Sequence, residues 1–119
     1  MSTMPSNSVG ADTGAASCAF MIVYMDITDS GWIEPYFRYV PALLAEYGAE
    51  QIAGGRHIVR VEGDIPVPDR IAVFRFPSLA AAEDFMKDER YQEHRASRMR
   101  GSSSQILIVE GAALAGALV

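Results

Sequence analysis

The sequence predicts an α+β fold in which one antiparallel sheet of four strands carries two helices on one of its faces. Three observations lead there. Segments of strand character and segments of helical periodicity follow one another as strand, helix, strand, strand, helix, strand. Two of the strand segments, residues 19–26 and 71–76, are apolar on both alternating faces, as strands in the middle of a covered sheet are. A chain of 119 residues, 50% of them apolar and 21% charged, suits one globular domain with one core.

Residues 1–18 are rich in Ser, Thr, Gly, Ala and Asn and nearly devoid of large apolar groups. Burial there has little to set against the entropy of ordering, so they read as a flexible tail. The stretch AFMIVYMD, residues 19–26, sets Phe20, Ile22 and Tyr24 on one face and Met21, Val23 and Met25 on the other, the pattern of a central strand. In TDSGW, Asp29 and Ser30 are candidate N-caps for a helix over residues 33–47. Tyr36, Val40, Leu43, Leu44 and Tyr47 fall there at helical spacing, and Gly48 terminates the run. Pro35 suits an opening turn, whereas Pro41 removes one backbone hydrogen bond, so a kink is expected between Phe37 and Pro41.

EQIAGGRHIVRVEGD reads as extended chain interrupted at Gly54 and Gly55, either one long strand with a bulge or a tight hairpin turn, and of edge type in both cases. Its second part alternates His57, Val59 and Val61 against Ile58, Arg60 and Glu62, so one face is apolar apart from its histidine. Pro66 and Pro68 rule out regular structure in DIPVPD, and RIAVFRFP then supplies the strand over residues 71–76, ended by Pro77. Ser78 caps a second helix whose buried stripe is Leu79, Ala82, Phe85 and Met86, with Glu83 and Asp84 facing away. KDE interrupts that pattern, and Asp88 is a fresh N-cap for the helical segment RYQEHRASRMR, which ends at Gly101. SQILIVEG holds the last strand, residues 105–110, and residues 112–119 form a short apolar tail.

Order and length together are those of the ferredoxin-like split βαβ plan, with residues 19–111 as the domain. That plan places its first and third strands in the centre, where the two doubly apolar segments belong. Such strands also need cover on the face without helices. For a chain this short a second copy is the economical cover, so a homodimer is expected.

A formal charge of −5 argues against a duplex-binding surface, and no nucleic-acid partner is expected. Cys18 is the only cysteine, so no internal disulfide is possible, and a reducing compartment fits. The first twenty residues lack the basic start and apolar run of a secretory signal. No stretch reaches the roughly 18 apolar residues of a membrane span. The cytoplasm is the expected location, with no membrane partner.

Tyr47-Gly48, Glu62-Gly63-Asp64, Phe76-Pro77-Ser78, Ala82, Tyr91 with Arg98, and Glu110-Gly111 recur in order along residues 19–111. In this the chain resembles the bacterial domain-of-unknown-function family numbered thirteen-thirty, of the dimeric α+β barrel superfamily. It departs from the usual pattern at FMKD, where relatives often carry an aromatic pair and a small residue, and at Ala49, where a second glycine is common. The resemblance implies two ferredoxin-like subunits joined sheet to sheet, with a cleft in each between sheet and helices. Sister families on the fold include cofactor-free monooxygenases, muconolactone isomerase-like proteins, haem-degrading enzymes and stress-induced barrels, so fold alone does not decide function.

The sharpest local question is the segment after Asp88. A rotation of about 100° per residue puts Tyr91, His94, Arg95 and Arg98 on one stripe, where a core-facing helix normally carries Leu or Val. Either the stripe is solvated, with Arg95, Arg98 and Arg100 favourable to the helix C-terminal dipole, or it lines a polar cleft. In a cleft, Arg98 with Tyr91 can hold a carboxylate or enolate oxygen. A third rotation turns Ala96 and Met99 inward and leaves Arg98 at the rim. Glu62 is the best carboxylate candidate for a general base, the bland alternative being an ion pair with Arg60 or Arg75. His94 is the likelier histidine to act, since His57 suits an interior strand face. Trp32, Tyr36 and Tyr39 are either core and dimer contacts or the aromatic wall of a ligand cleft. Two histidines without matched carboxylates leave no metal site expected, Cys18 has no base near it, and Gly54-Gly55 lacks the helix and lysine of a phosphate loop.

The function expected is binding of a small anionic or oxygenated organic molecule, with no cofactor. Catalysis would be cofactor-independent: isomerase, lyase, cyclase or oxygenase, with Glu62 or His94 as base and Arg98 with Tyr91 stabilising the oxyanion, and with Arg95 and Tyr39 as further ligand contacts. The alternative is a ligand-binding or scaffold dimer without turnover.

Overall fold

A computed structural model describes residues 17–111. Along the chain lie β1 (Cys18–Ile27), α1 (Ile33–Glu46), β2 (Glu50–Gly55), β3 (Arg70–Phe76), α2 (Leu79–Lys87), α3 (Glu89–Gly101) and β4 (Ser102–Gly111). The expected tails fall outside the described residues except for Ser17, which is exposed, and Cys18, which opens β1. The sheet is antiparallel throughout, in the spatial order β2-β3-β1-β4, which is the ferredoxin-like arrangement with the two doubly apolar strands in the middle.

β1 decides which face is the core. Ala19, Met21, Val23 and Met25 are buried beneath the helices, while Phe20, Ile22 and Tyr24 point to the other face and are only half-covered. Among the described residues no helix lies on that second face, where Leu107 and Val109, opposite Ile22 and Phe20, are 60% and 50% exposed. β4 is longer than its apolar run, because Ser102, Ser103 and Ser104 continue the pairing with β1 through Ile27, Asp26 and Met25.

α1 buries Val40 and Leu43 and runs on through Pro41 to Glu46. Gly48 follows with φ +75, and a side chain there would meet the Pro77 ring, Cγ lying 3.0 Å from the position of its Cβ, so both the turn and the close approach call for glycine. The expected cap at Asp29 or Ser30 is corrected: Trp32 holds the N-cap position and makes no side-chain capping bond. The cause is tertiary. The N–H groups of Thr28 and Asp29 both donate to the Gly101 carbonyl, at 2.9 and 3.0 Å, and Ser30 then starts a backbone turn to Ile33.

The largest departure is after β2. A bulge does occur, but between Gln51 and Ala53, and the strand stops at Gly55. His57, Val59 and Val61 form no strand: all three are exposed, Val61 at 88%. Gly55 already pairs with Ile71, one residue from the start of β3, so the chain beyond it has no neighbouring strand to bond. Pro66 and Pro68 prevent β3 from extending backwards to provide one.

The second helical region is two helices, divided where KDE breaks the pattern. Ser78 Oγ accepts the Ala81 N–H at 3.0 Å, and Asp88 Oδ1 accepts the Arg90 N–H at 2.7 Å, capping α2 and α3 in turn. Phe85 of α2 packs on Phe76 of β3 and on Tyr91 of α3, with ring centroids 5.9 and 4.4 Å away, and joins the three elements in one core.

Candidate functional site

Between the helices and the buried face of the sheet lies a cavity of about 440 Å³. Met21, Val23 and Met25 of β1, Ala72 and Phe74 of β3 and Ile106 of β4 form its floor. Trp32, Tyr36, Val40 and Leu44 of α1, Phe85 of α2 and Tyr91 and Arg98 of α3 form its walls, and Gln51, Arg56 and Arg70 add polar groups. The space is therefore mostly apolar with a few converging polar side chains, as ligand sites are.

Arg98 is 3% exposed and is the buried charged residue among those described. Its Nη2 donates to the Tyr91 hydroxyl over a long 3.4 Å, its Nε has no partner, and no carboxylate among the described residues pairs with it. The Tyr91 and Tyr36 hydroxyls lie 2.9 Å apart. Burial pushes the Tyr36 phenol far above its ordinary value, and the Tyr91 phenol beside it adds to this against the opposing pull of Arg98. Tyr36 is thus a neutral donor at any physiological pH. A guanidinium donates only, so this trio carries more N–H and O–H donors than acceptors. What it lacks is an oxygen from outside. A buried cation without a counter-ion is costly unless something else repays that cost, and here the cavity is open to receive it.

The helix rotation left open by the sequence is settled by depth: Tyr91 and Arg98, seven residues apart, are both buried, while Met99 is 59% exposed. His94 and Arg95 lie on the flanks of that stripe and do not line the cavity. His94 sits behind Tyr36, in edge contact with its ring at 6.4 Å and stacked on Tyr39 at 5.7 Å. Tyr39 is 56% exposed and outside the lining, and Arg95 reaches across to the Met86 carbonyl at 3.5 Å. Glu62 stands exposed in the irregular connection between β2 and β3, apart from the cavity lining, and pairs with neither Arg60 nor Arg75, which take the Ile65 carbonyl and Glu50 instead. The candidate oxyanion holders are therefore brought together and the candidate bases are not. No Asp, Glu, His or Cys is among the lining residues.

Arg70 escaped the sequence reading. It lies opposite Met25 in the sheet, lines the cavity, and its buried Nε has no partner. A signal for it existed: Arg70, Ala72, Phe74 and Phe76 alternate onto one face of β3, and Phe76 is fully buried. Among the described residues no group of three or more His, Cys, Asp or Glu side chains could hold a metal ion, and no helix is long and apolar enough to cross a membrane.

In comparison with solved structures, RPA0582 from Rhodopseudomonas palustris, a protein of unknown function, is similar at 14% identity and a TM-score of 0.67, over 87% of this chain and 88% of that one. SnoaB from Streptomyces nogalater, described as a cofactor-independent oxygenase, is similar at 10% identity and a TM-score of 0.57, over 87% of this chain and 100% of that one. A Bacteroides thetaiotaomicron protein described as a possible oxidoreductase is similar at 13% identity and a TM-score of 0.54, over 81% and 99% of the two chains. At these identities the likeness concerns the fold alone, which is ferredoxin-like. No curated protein matches the sequence. Residues 18–112, which span the whole described fold, match the family described as Domain of unknown function (DUF1330), and the chain belongs to that family.

Proposed function

We propose that the protein is a homodimeric barrel whose cavity binds a small organic molecule in its anionic form and stabilises that form. The observation that carries this reading is Arg98: a guanidinium 3% exposed, without a carboxylate partner, beside two phenols in an otherwise apolar cavity. Such a site favours the ionised state of a carbon acid or phenol over the neutral one and so lowers the ligand's own pKa. With no base in the lining, the ligand's proton passes to water, and the site takes up and holds the anion. Arg98 holds the developing oxyanion, Tyr91 is kept in place by Arg98 and Tyr36, and Tyr36 donates. Cofactor-independent chemistry on an activated substrate fits this division of labour, and the fold likeness to SnoaB supports that class by analogy only.

A second reading, a binding protein without turnover, draws support from the absence of any acid, histidine or cysteine in the lining. For the pairing of subunits, the support is the helix-free sheet face, where Phe20, Ile22, Tyr24, Leu107 and Val109 form an apolar surface. Sedimentation equilibrium at micromolar concentration is expected to show twice the chain mass, and a stable monomer would end the barrel reading. The single cysteine, which can form no internal disulfide, supports a reducing location such as the cytoplasm.

The test of the site is calorimetric titration with naphthoate and with its neutral amide. The anion is expected to bind more tightly than the amide by about tenfold, and Arg98→Met to abolish that preference. Equal binding of the two by the unaltered protein would overturn the reading.

A further inference from the structure

Two buried side-chain nitrogens among the described residues have no hydrogen-bond partner, and both are arginine Nε atoms facing the same cavity: Arg98 on α3 and Arg70 on β3. We infer that the ligand carries two anionic groups on an apolar body, one received by Arg98 and the other by Arg70. This rests on the anion-site reading of the cavity and adds a second receiving point and a substrate class to it: an aromatic or alicyclic dianion, either a dicarboxylate or a carboxylate with an ionised enol or phenol.

The carboxylates close to Arg70 are engaged elsewhere. Asp69 accepts the Ile27 N–H at 3.0 Å, and Asp26 accepts the Asp69 N–H at 2.9 Å. Glu50 of the neighbouring strand lies opposite Arg75, at the far end of β3 from Arg70, and pairs with that arginine. The Arg70 side chain makes no hydrogen bond or ion pair among the described residues. A guanidinium cannot shed its proton to escape burial as a lysine can, so both side chains keep their positive charge at the cavity wall. Two cations facing one mostly apolar space repel each other, and a single negative charge neutralises only one of them; Arg98 is buried whole and Arg70 in part. Their origin on opposite walls, one on a helix and one on the sheet, means that one small carboxylate is not required to meet both. The volume of about 440 Å³ leaves room for a ring system between two acidic groups.

The experiment is calorimetric titration of the full chain with naphthoate and with the positional isomers of naphthalene dicarboxylate. At least one dicarboxylate is expected to bind about tenfold more tightly than naphthoate. Arg70→Met is expected to erase that difference while leaving naphthoate affinity within about threefold, and Arg98→Met to weaken both classes. Arg70→Lys, which keeps a cation on β3, is expected to retain part of the preference and guards against loss of fold as the cause. If no dicarboxylate outbinds naphthoate, or if Arg70→Met keeps the preference, the inference is overturned while naphthoate binding sensitive to Arg98 leaves the anion site standing. If neither ligand class binds the unaltered chain, the anion site and the inference fall together.

Discussion

The two ends of α3 put the same side chain to opposite uses. At its start, Arg90 lies at the surface between Asp88 and Glu46, at 2.9 and 3.0 Å, and Asp88 is held further by the Tyr47 hydroxyl at 2.6 Å. Arg90, Asp88 and Glu46 each have an opposite charge within reach there. One turn before its end, Arg98 is buried with an idle Nε and no carboxylate partner among the described residues. A neutralised cluster contributes to where helices start and how they are pinned together. An unneutralised buried cation does nothing for the fold that Met or Leu would not do better. The contrast separates a structural arginine from one retained for a ligand, and four substitutions test it.

The largest effect is expected just past Arg98. Gly101 is buried, and a Cβ there would lie 2.2 Å from Trp32 Cδ1 and 2.9 Å from the Asp29 carbonyl oxygen, while the Trp32 indole donates to the Gly101 carbonyl at 3.2 Å. Gly101→Ala should cost roughly 3 kcal/mol in urea denaturation, since the clash meets a ring in the core and not a flexible chain end. Next, Arg98→Met should leave stability equal or raise it by about 1 kcal/mol, a shift of roughly 4–8 °C in melting temperature, while binding of naphthoate falls about tenfold. A stability loss of roughly 3 kcal/mol or more would instead mean that Arg98 serves the fold through a partner carboxylate.

At the other end the sign reverses. Hydrogen bonds from Arg90 and Tyr47 hold the Asp88 carboxyl well below the usual carboxylate range. A carboxyl whose folded value is depressed stabilises the protein fully above its unfolded value and loses that contribution as pH falls toward the folded one. Asp88→Asn preserves a capping oxygen and removes the charge, so it should lower the melting temperature at neutral pH. The gap to the unaltered protein should close as pH drops from about 5 toward about 2. A gap that stays constant across that window would assign the effect to geometry and not to charge. The smallest effect is expected at Glu62, exposed and outside the cavity lining: Glu62→Gln should change stability by less than about 0.5 kcal/mol and leave naphthoate binding unaltered. A clear loss of binding there would bring the β2–β3 connection into a site, the partner's or its own.

By itself the sequence determined the elements whose signals are local. Alternation over residues 19–26 and 71–76 placed the central strands, Pro77 ended the second of them, Gly48 ended the first helix, and Ser78 and Asp88 marked two helix starts through side chains that reach only two or three residues. The position of Tyr91 and Arg98 on one stripe was equally legible, because 3.6 residues per turn is a property of the helix alone. Tertiary structure decided whatever needed a distant neighbour. Whether His57 to Val61 became a strand depended on a free pairing edge, which β3 does not reach far enough to offer. Whether Asp29 or Ser30 capped α1 depended on the Gly101 carbonyl, some seventy residues away, drawing in the backbone before the helix. The rotation of α3 depended on Phe85 and Tyr36 packing over Tyr91, which buries Arg98 and leaves His94 outside the cavity lining. Arg70 shows both sides at once: period two puts it on the core face of β3, but that its charge meets no opposite one is a fact of three dimensions, since a counter-ion can come from anywhere in the chain.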